Sequence, residues 1–443
     1  MRNSIWLPAL VVVAAGIAGL VGEQTGEPVT VLYTGAAFGK LTPCGCTPES
    51  DMGGILRRDS ALLPLRERYP RSLLVEAGGS FDEPSPQNRL GALAYVRSLR
   101  ALGYDAAAIG AADLVYGREF LSENGGGLFF VSNLKWKAGD SPLTASSRLV
   151  ERGPATVELI AIIDPDDLAP GDRLNVVVVP PARFLDEQCA ADRLTVVLCS
   201  TSREKARRLL DHPRVEVVIN AYPKGDLLTE PPFSFADGKV STETAIYGSR
   251  IGVLRLFWTG ATLAAAENQF VALEKQYADG ERALPSFREY EEAVKKLFLA
   301  RLAGQSPFDR AASPYAGAES CARCHQTAYQ KWKKTKHPLA WETLKKIKKN
   351  FDPECIMCHT VGFERPGGFV SEDASPHLAA VGCEACHGPA KRHVEARRGF
   401  LRKPTLEVCH RCHTPERAPG FKPREGWKKI RHGRRAGTPP GGQ

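Results

Sequence analysis

Methionine is almost missing from this chain. The 443 residues hold three, and beyond Met1 only Met52 and Met357 remain, so a bound metal has almost no thioether to draw on. Histidine is scarce in a particular stretch: one of the ten, His212, lies between residues 23 and 314, which excludes a cage of several imidazoles there. After residue 22 no apolar run resembles the roughly 20 residues that cross a bilayer, which excludes a chain that weaves through a membrane. Neither disorder nor a disulfide knot suits a chain that is 43% hydrophobic and 25% charged, and its length points to two or three domains.

What is present begins with an apolar segment. Arg2 precedes a run from Ile5 to Val21 broken only by Pro8, Gly16 and Gly19, the pattern of an export signal. Leu20-Val21-Gly22 is a poor cleavage site, and no Cys follows that would carry a lipid. Residues 1–22 are therefore expected to be a signal peptide or membrane anchor, placing the rest in the periplasm or elsewhere in the cell envelope. From residue 28 to 260 the pattern is α/β. Apolar runs at Val29–Tyr33, Ser72–Val75, Leu174–Val179 and Leu194–Leu198 predict buried strands, and Leu90–Leu102 and Ser202–Leu210 predict helices. Residues 261–318 read as a connector, with two helices over 262–303 and a linker after them.

Cysteine marks the remainder. Of twelve Cys, eight lie between Cys321 and Cys412, and they spell C-x-x-C-H four times: Cys321, Cys324 and His325; Cys355, Cys358 and His359; Cys383, Cys386 and His387; Cys409, Cys412 and His413. Two thiols at that spacing can each add to a haem vinyl group, and the next imidazole then becomes the proximal ligand of the iron. Zinc ribbons and iron–sulfur clusters also use C-x-x-C pairs, but four pairs each followed at once by His favour four covalently attached haem c groups. Residues 315–443 carry 25 Lys+Arg against 12 Asp+Glu, net +13, and residues 1–314 carry 34 against 38, net −4. Haem propionates account for that basic surface. Lys331–Lys349 and Lys391–Lys403 are then expected to be propionate partners and a docking face, and nucleic acid is not expected as a partner.

A second axial ligand follows by elimination, because Met52 is remote and Met357 is trapped inside a motif. Outside the motif positions, His337, His377, His393 and His432 remain, four candidates for four irons, with His410 constrained inside the fourth motif. Two imidazoles suit low-potential electron transfer.

The stretch from Cys321 to Phe421 resembles the tetrahaem cytochrome c-554 family. The likeness rests on Tyr329, Trp332, His337-Pro338 and Trp341 after the first motif, Thr360-Val361-Gly362-Phe363 after the second, Val381-Gly382 before and Gly388-Pro389 after the third with His393 following, and Thr414. It implies a mostly helical, irregular fold around stacked haem pairs. It also implies that His337 and His393 are distal ligands donated to haems other than their neighbours, and that one iron, at His359 or another proximal histidine, is five-coordinate.

Residues 28–260 resemble the metallophosphoesterase domain of the 5′-nucleotidase type, on Gly53-Gly54-Ile55-Leu56-Arg57-Arg58, Leu74-Val75-Glu76-Ala77-Gly78, Tyr116-Gly117, Ser132-Asn133 and Tyr247-Gly248-Ser249-Arg250-Ile251-Gly252. That chemistry needs two metals that clamp a phosphate and activate water. Where the family has Asp-x-His, Gly-Asp and Gly-Asn-His-Glu, this chain has Ala36-Ala37-Phe38, Gly78-Gly79 and Gly110-Ala111-Ala112-Asp113. The resemblance thus implies a degenerate domain, a pseudo-enzyme. His212 is expected in an exposed polar loop. Cys189 and Cys199 read either as a disulfide or as two buried thiols, and Cys44-Gly45-Cys46 as structural thiols or a soft-metal site.

The reading is a multidomain, exported tetrahaem cytochrome acting in electron transfer. Residues 28–260 form a degenerate α/β sandwich for docking, 319–425 the multihaem cytochrome c domain and 426–443 a basic flexible tail. Redox proteins or quinol-linked donors are the expected partners, and an oligomer or filament is open. One alternative gives an open iron redox chemistry on a small nitrogen or sulfur oxide; another leaves residual nucleotidase or phosphohydrolase activity.

Overall fold

The computed structural model describes residues 27–43, 45–152, 155–189, 193–259, 262–397, 399 and 401–432. The expected export segment, Cys44 and the end of the basic tail from residue 433 lie outside them. The chain divides into two compact units, Met1–Tyr290 and Glu291–Gln443.

The first unit is a sandwich of two six-stranded mixed sheets. One runs in the order Thr262–Ala272, Arg250–Thr259, Val29–Thr34, Leu73–Glu76, Ala106–Ala108, Phe129–Phe130; the other runs Phe233–Ala236, Lys239–Glu243, Val217–Asn220, Leu194–Cys199, Ala155–Ile162, Arg148–Arg152. The period of two along each strand sorts side chains between layers. Val31, Tyr33, Leu73, Val75, Leu159, Val196, Leu198 and Ile219 fill the space between the sheets. Their neighbours Leu32, Leu74 and Ala107 pack outward with the helices Ile55–Arg68 and Pro86–Ala101, and Ile160, Val197 and Val218 do so with Pro181–Gln188 and Arg203–Leu209. Both faces of each sheet are therefore covered, which is why the central strands read as unbroken apolar runs.

Two expectations change, and one open choice is resolved. Residues 262–272 form a strand, not a helix: they pair antiparallel with Arg250–Thr259 from Arg250 opposite Ala272 to Thr259 opposite Thr262. The alanines favour a helix, but a ladder to a long neighbour and the packing of Leu263, Ala266 and Phe270 on the inter-sheet core outweigh that preference. The Leu174–Val179 strand shrinks to Val176–Val178 in a separate two-stranded sheet with Leu134–Trp136, leaving Leu174 74% and Val177 52% exposed. Cys189 and Cys199 are two buried thiols without a disulfide, and burial pushes the Cys189 thiol up to about 11.

The second unit is helical, in short pieces: Leu284–Ala303 leads into it, followed by Ala318–Ala322, Gln326–Lys333, Ala340–Lys346, Pro353–His359, Cys383–His387, Lys391–Ala396 and Pro423–Ile430. The last of these takes up the start of the stretch expected to be a flexible tail. Its core is small, nine buried residues that include Tyr315, Trp341, Ile356, Val361, Phe369 and Leu378. Among the described residues no helix is long and apolar enough to cross a membrane.

Candidate functional site

At the crest of the sandwich, the loops that would carry phosphoesterase ligands converge on small residues. The Ala36 N–H donates to the Gly78 carbonyl (2.8 Å) and the Phe38 N–H to that of Gly79 (2.9 Å). A Cβ on Gly110 would come within 2.8 Å of the Ser200 Cβ, and one on Gly35 within 3.0 Å of the Ala221 Cβ and the Thr244 methyl. The polar groups nearby are engaged with the protein itself. Both Asp113 oxygens face backbone, accepting from the N–H groups of Gly79, Ser80, Phe81 and Gly110 at 2.7–3.0 Å; burial pushes this carboxyl up to about 6 against those four donors. Glu76 accepts from Tyr95 (3.0 Å) and Thr34 and lies 3.6 Å from the buried Arg58. Asn133 is spent on the backbone of Ile163 and Val179. No group of three or more His, Cys, Asp or Glu able to hold a metal ion occurs among the described residues. His212 is not fully exposed as expected: its side chain is 11% accessible, and Nε2 lies 3.3 Å from an Asp186 carboxylate oxygen. Cys46 is exposed, and its neighbour Cys44 is outside the described residues.

In the second unit each motif sits on a helical turn, so the first thiol and the imidazole four residues later share a face. The His325 N–H donates to the Cys321 carbonyl (2.8 Å) and the His413 N–H to that of Cys409 (2.9 Å). The Pro353–His359 helix, which carries the second motif, is capped by Asp352, whose side chain accepts from the Glu354 N–H (3.1 Å). Different motifs approach one another. Cys412 Sγ donates to the Cys358 carbonyl and Cys358 Sγ to that of Arg411 (both 3.9 Å), the Arg417 guanidinium donates to the Cys358 sulfur at 3.3 Å, and the Gly317 N–H that opens the helix of the first motif donates to Glu384 of the third (2.8 Å). Motif one is therefore beside motif three, and motif two beside motif four.

The histidines supply a test of whether these residues suit a haem iron. An imidazole nitrogen lies about 2 Å from a metal it ligates and the ring centre about 1 Å beyond, so two imidazoles on opposite sides of one ion have centres about 6 Å apart. Three pairs have that separation: His325 with His393 at 6.0 Å, His337 with His413 at 6.4 Å, and His387 with His432 at 5.8 Å. Each joins one motif histidine to one from elsewhere in the unit. Nδ1 of His359, His387 and His393 lies 2.6, 3.1 and 3.2 Å from the carbonyls of Ala340, Arg402 and Gly399. Such a bond fixes the tautomer that leaves Nε2 for a metal. Burial holds His337, His359, His377, His413 and His432 below the usual imidazole range, toward the neutral form that ligates.

Two histidines stand apart. No described histidine ring is paired with His359. His377 lies 5.8 Å from the Phe308 ring, with both ring nitrogens buried and without a hydrogen-bond partner. The sequence named all ten histidines but gave no sign of the carbonyl behind His359, of Arg417, or of a task for Glu384, which lies inside the third motif and accepts from backbone N–H groups before and after it.

Residues 320–388 match the model of the family Cytochrome c554 and c-prime. Cytochrome c-554 of Nitrosomonas europaea is 38% identical over 94 residues, 18% of this chain and 40% of that protein, so the chain spans less than half the length of this curated relative. Among solved structures, the calcineurin-like phosphoesterase YfkN of Bacillus subtilis superposes with a TM-score of 0.51 at 15% identity, over 60% of this chain and 97% of its own. The 5′-nucleotidase precursor of Thermus thermophilus gives 0.51 at 18% identity, over 68% of each chain. Residues 320–388 thus match the cytochrome c554 and c-prime family model, and the N-terminal unit has the calcineurin-like phosphoesterase fold.

Proposed function

We propose that this chain is an exported tetrahaem cytochrome that passes electrons between redox partners, with the sandwich serving to dock or scaffold. The observation that carries the reading is the set of three imidazole pairs about 6 Å apart. His325, His387 and His413 would be proximal ligands with His393, His432 and His337 opposite them, and the eight motif cysteines would hold the haems. When bound, the haems supply iron centres that cycle between ferric and ferrous states. The protein's part is to fix the order of the sites. Motif one neighbours three and motif two neighbours four, which supports two adjacent pairs of sites. The proposed boundaries are 1–22 for the export segment, 28–260 extended to residue 272 for the sandwich, and 319–425 for the cytochrome domain; the proposed location is the cell envelope.

Intact mass and a pyridine haemochrome assay test the haem count. Four haems per chain are expected, and any other number overturns the reading. A second reading, favoured by the lack of an imidazole opposite His359 among the described residues, is that the second site leaves its iron open to a small nitrogen or sulfur oxide. A high-spin ferric EPR signal that shifts on adding nitric oxide supports it, and four low-spin centres exclude it. The converging Ala36, Gly79 and Gly110 support loss of phosphohydrolase chemistry. With manganese or zinc added, nucleotide substrates should show no turnover above background.

A further inference from the structure

One variable position in the four motifs stands out. Glu384, between Cys383 and Ala385, is 4% exposed and pairs with no described Lys or Arg. Its charge is met by backbone instead. Oε1 accepts from the N–H groups of Ala316 (2.9 Å) and Ala390 (2.7 Å), and Oε2 from that of Gly317 (2.8 Å). Gly317 is the N-cap of the Ala318–Ala322 helix that presents Cys321, so a carboxylate of the third motif fixes the entrance to the first. The same entrance segment is tied further along: Ser313 Oγ donates to the Gly367 carbonyl (2.7 Å), and a Cβ on Gly362 would come within 2.7 Å of the Tyr315 ring. The Ala318–Ala322 and Cys383–His387 helices are themselves in contact. A buried carboxylate without a counter-ion costs desolvation energy that an uncharged side chain would avoid. Three dipoles satisfy its oxygens but leave its net charge in place, in surroundings that screen charge weakly.

We infer that Glu384 is a positioning residue shared by the first and third haem sites, whose fixed negative charge holds both irons toward the oxidised state. The inference rests on haem attachment at these motifs. A ferric centre carries one more positive charge than a ferrous one, so an anion nearby and poorly screened favours it and lowers the reduction potential. Because the carboxylate belongs to one motif and its hydrogen bonds reach the other, two sites respond together.

The test is a spectropotentiometric titration of the full-length haem-loaded protein, followed by EPR, on wild type, Glu384→Gln and Glu384→Asp. In Glu384→Gln two of the four midpoint potentials should rise, with altered EPR signals from those two centres, while Glu384→Asp, which keeps the charge on a shorter arm, should stay near wild type in potential. A Glu384→Gln protein with four haems and unmoved potentials overturns the inference, as does a shift confined to one haem. If that variant does not assemble, redox-difference infrared spectra of the wild type decide. A carboxylate band that is displaced in Glu384→Asp should move as two haems are reduced, and its absence overturns the inference. Intact mass of the same wild-type sample separates the two levels. A chain lacking haem at the first or third motif overturns the underlying reading and the inference with it, whereas full loading with flat potentials overturns the inference alone.

Discussion

Asp113 illustrates how a residue can keep its place and change its task. In the sequence it stands where a metal-binding motif of the phosphoesterases would end, and it reads as a remnant. In the fold its two oxygens take four backbone N–H groups from two neighbouring loops, so it now holds the crest together. Truncating it leaves four buried donors with no acceptor. Asp113→Ala should destabilise the first unit by on the order of 3–5 kcal/mol, read as a shift in its urea midpoint; a change under about 1 kcal/mol would show that the loops hold themselves. The histidines divide the same way. The four proximal candidates are legible because thiol and imidazole chemistry is written within five residues. Their partners come from distant turns, His393 for His325 and His337 for His413, and no local pattern encodes which meets which. His393→Ala should convert one low-spin centre to high spin, seen by EPR, with the haem count unchanged. An unaltered spectrum would remove His393 from the ligand set.

At the scale of elements, helices were legible where apolar spacing and caps agreed. Ser85 and Ser202 accept from the N–H groups three residues on, at the starts of Pro86–Ala101 and Arg203–Leu209, and both helices were expected from periodicity. The Thr262–Ala272 strand was not, because its composition favours a helix and only the ladder with Arg250–Thr259 decides otherwise. That ladder contains a close approach that demands glycine. A Cβ on Gly252 would lie 2.1 Å from the Tyr33 ring, whose hydroxyl meets Thr242 (2.8 Å) on the opposite sheet and Asn268 (3.0 Å) on the neighbouring strand. Gly252→Ala must push that ring away and break the bridge between the sheets. A loss of about 2–4 kcal/mol is expected in the unfolding of the first unit. In Tyr33→Phe, where the hydroxyl bridge is already gone, Gly252→Ala should cost less than in the wild type, and a neutral Gly252→Ala in the wild type would show that the ring moves freely.

For the whole molecule, the two units differ in what holds them. The first has three apolar clusters that cover both faces of both sheets, enough to fold without a cofactor. The second has nine buried apolar residues in its core and, after Leu284–Ala303, helices of five to eight residues between loops, well short of what isolated helices need in water. Its motif thiols are part-buried or exposed rather than buried in that core, so haem would supply much of the apolar surface that organises it. The sequence revealed this division through cysteine and charge before any strand was assigned, but it could not show how small the second core is, because burial depends on contacts between distant turns. Folding should therefore separate into two events. In a chain with all eight motif cysteines replaced by Ser, amide hydrogen exchange should leave the strands Val29–Thr34 and Leu194–Cys199 protected, while residues 318–432 exchange within the time of mixing. In the haem-loaded protein both regions should be protected. Equal protection of 318–432 in the two samples would mean that this polypeptide organises itself without its cofactors.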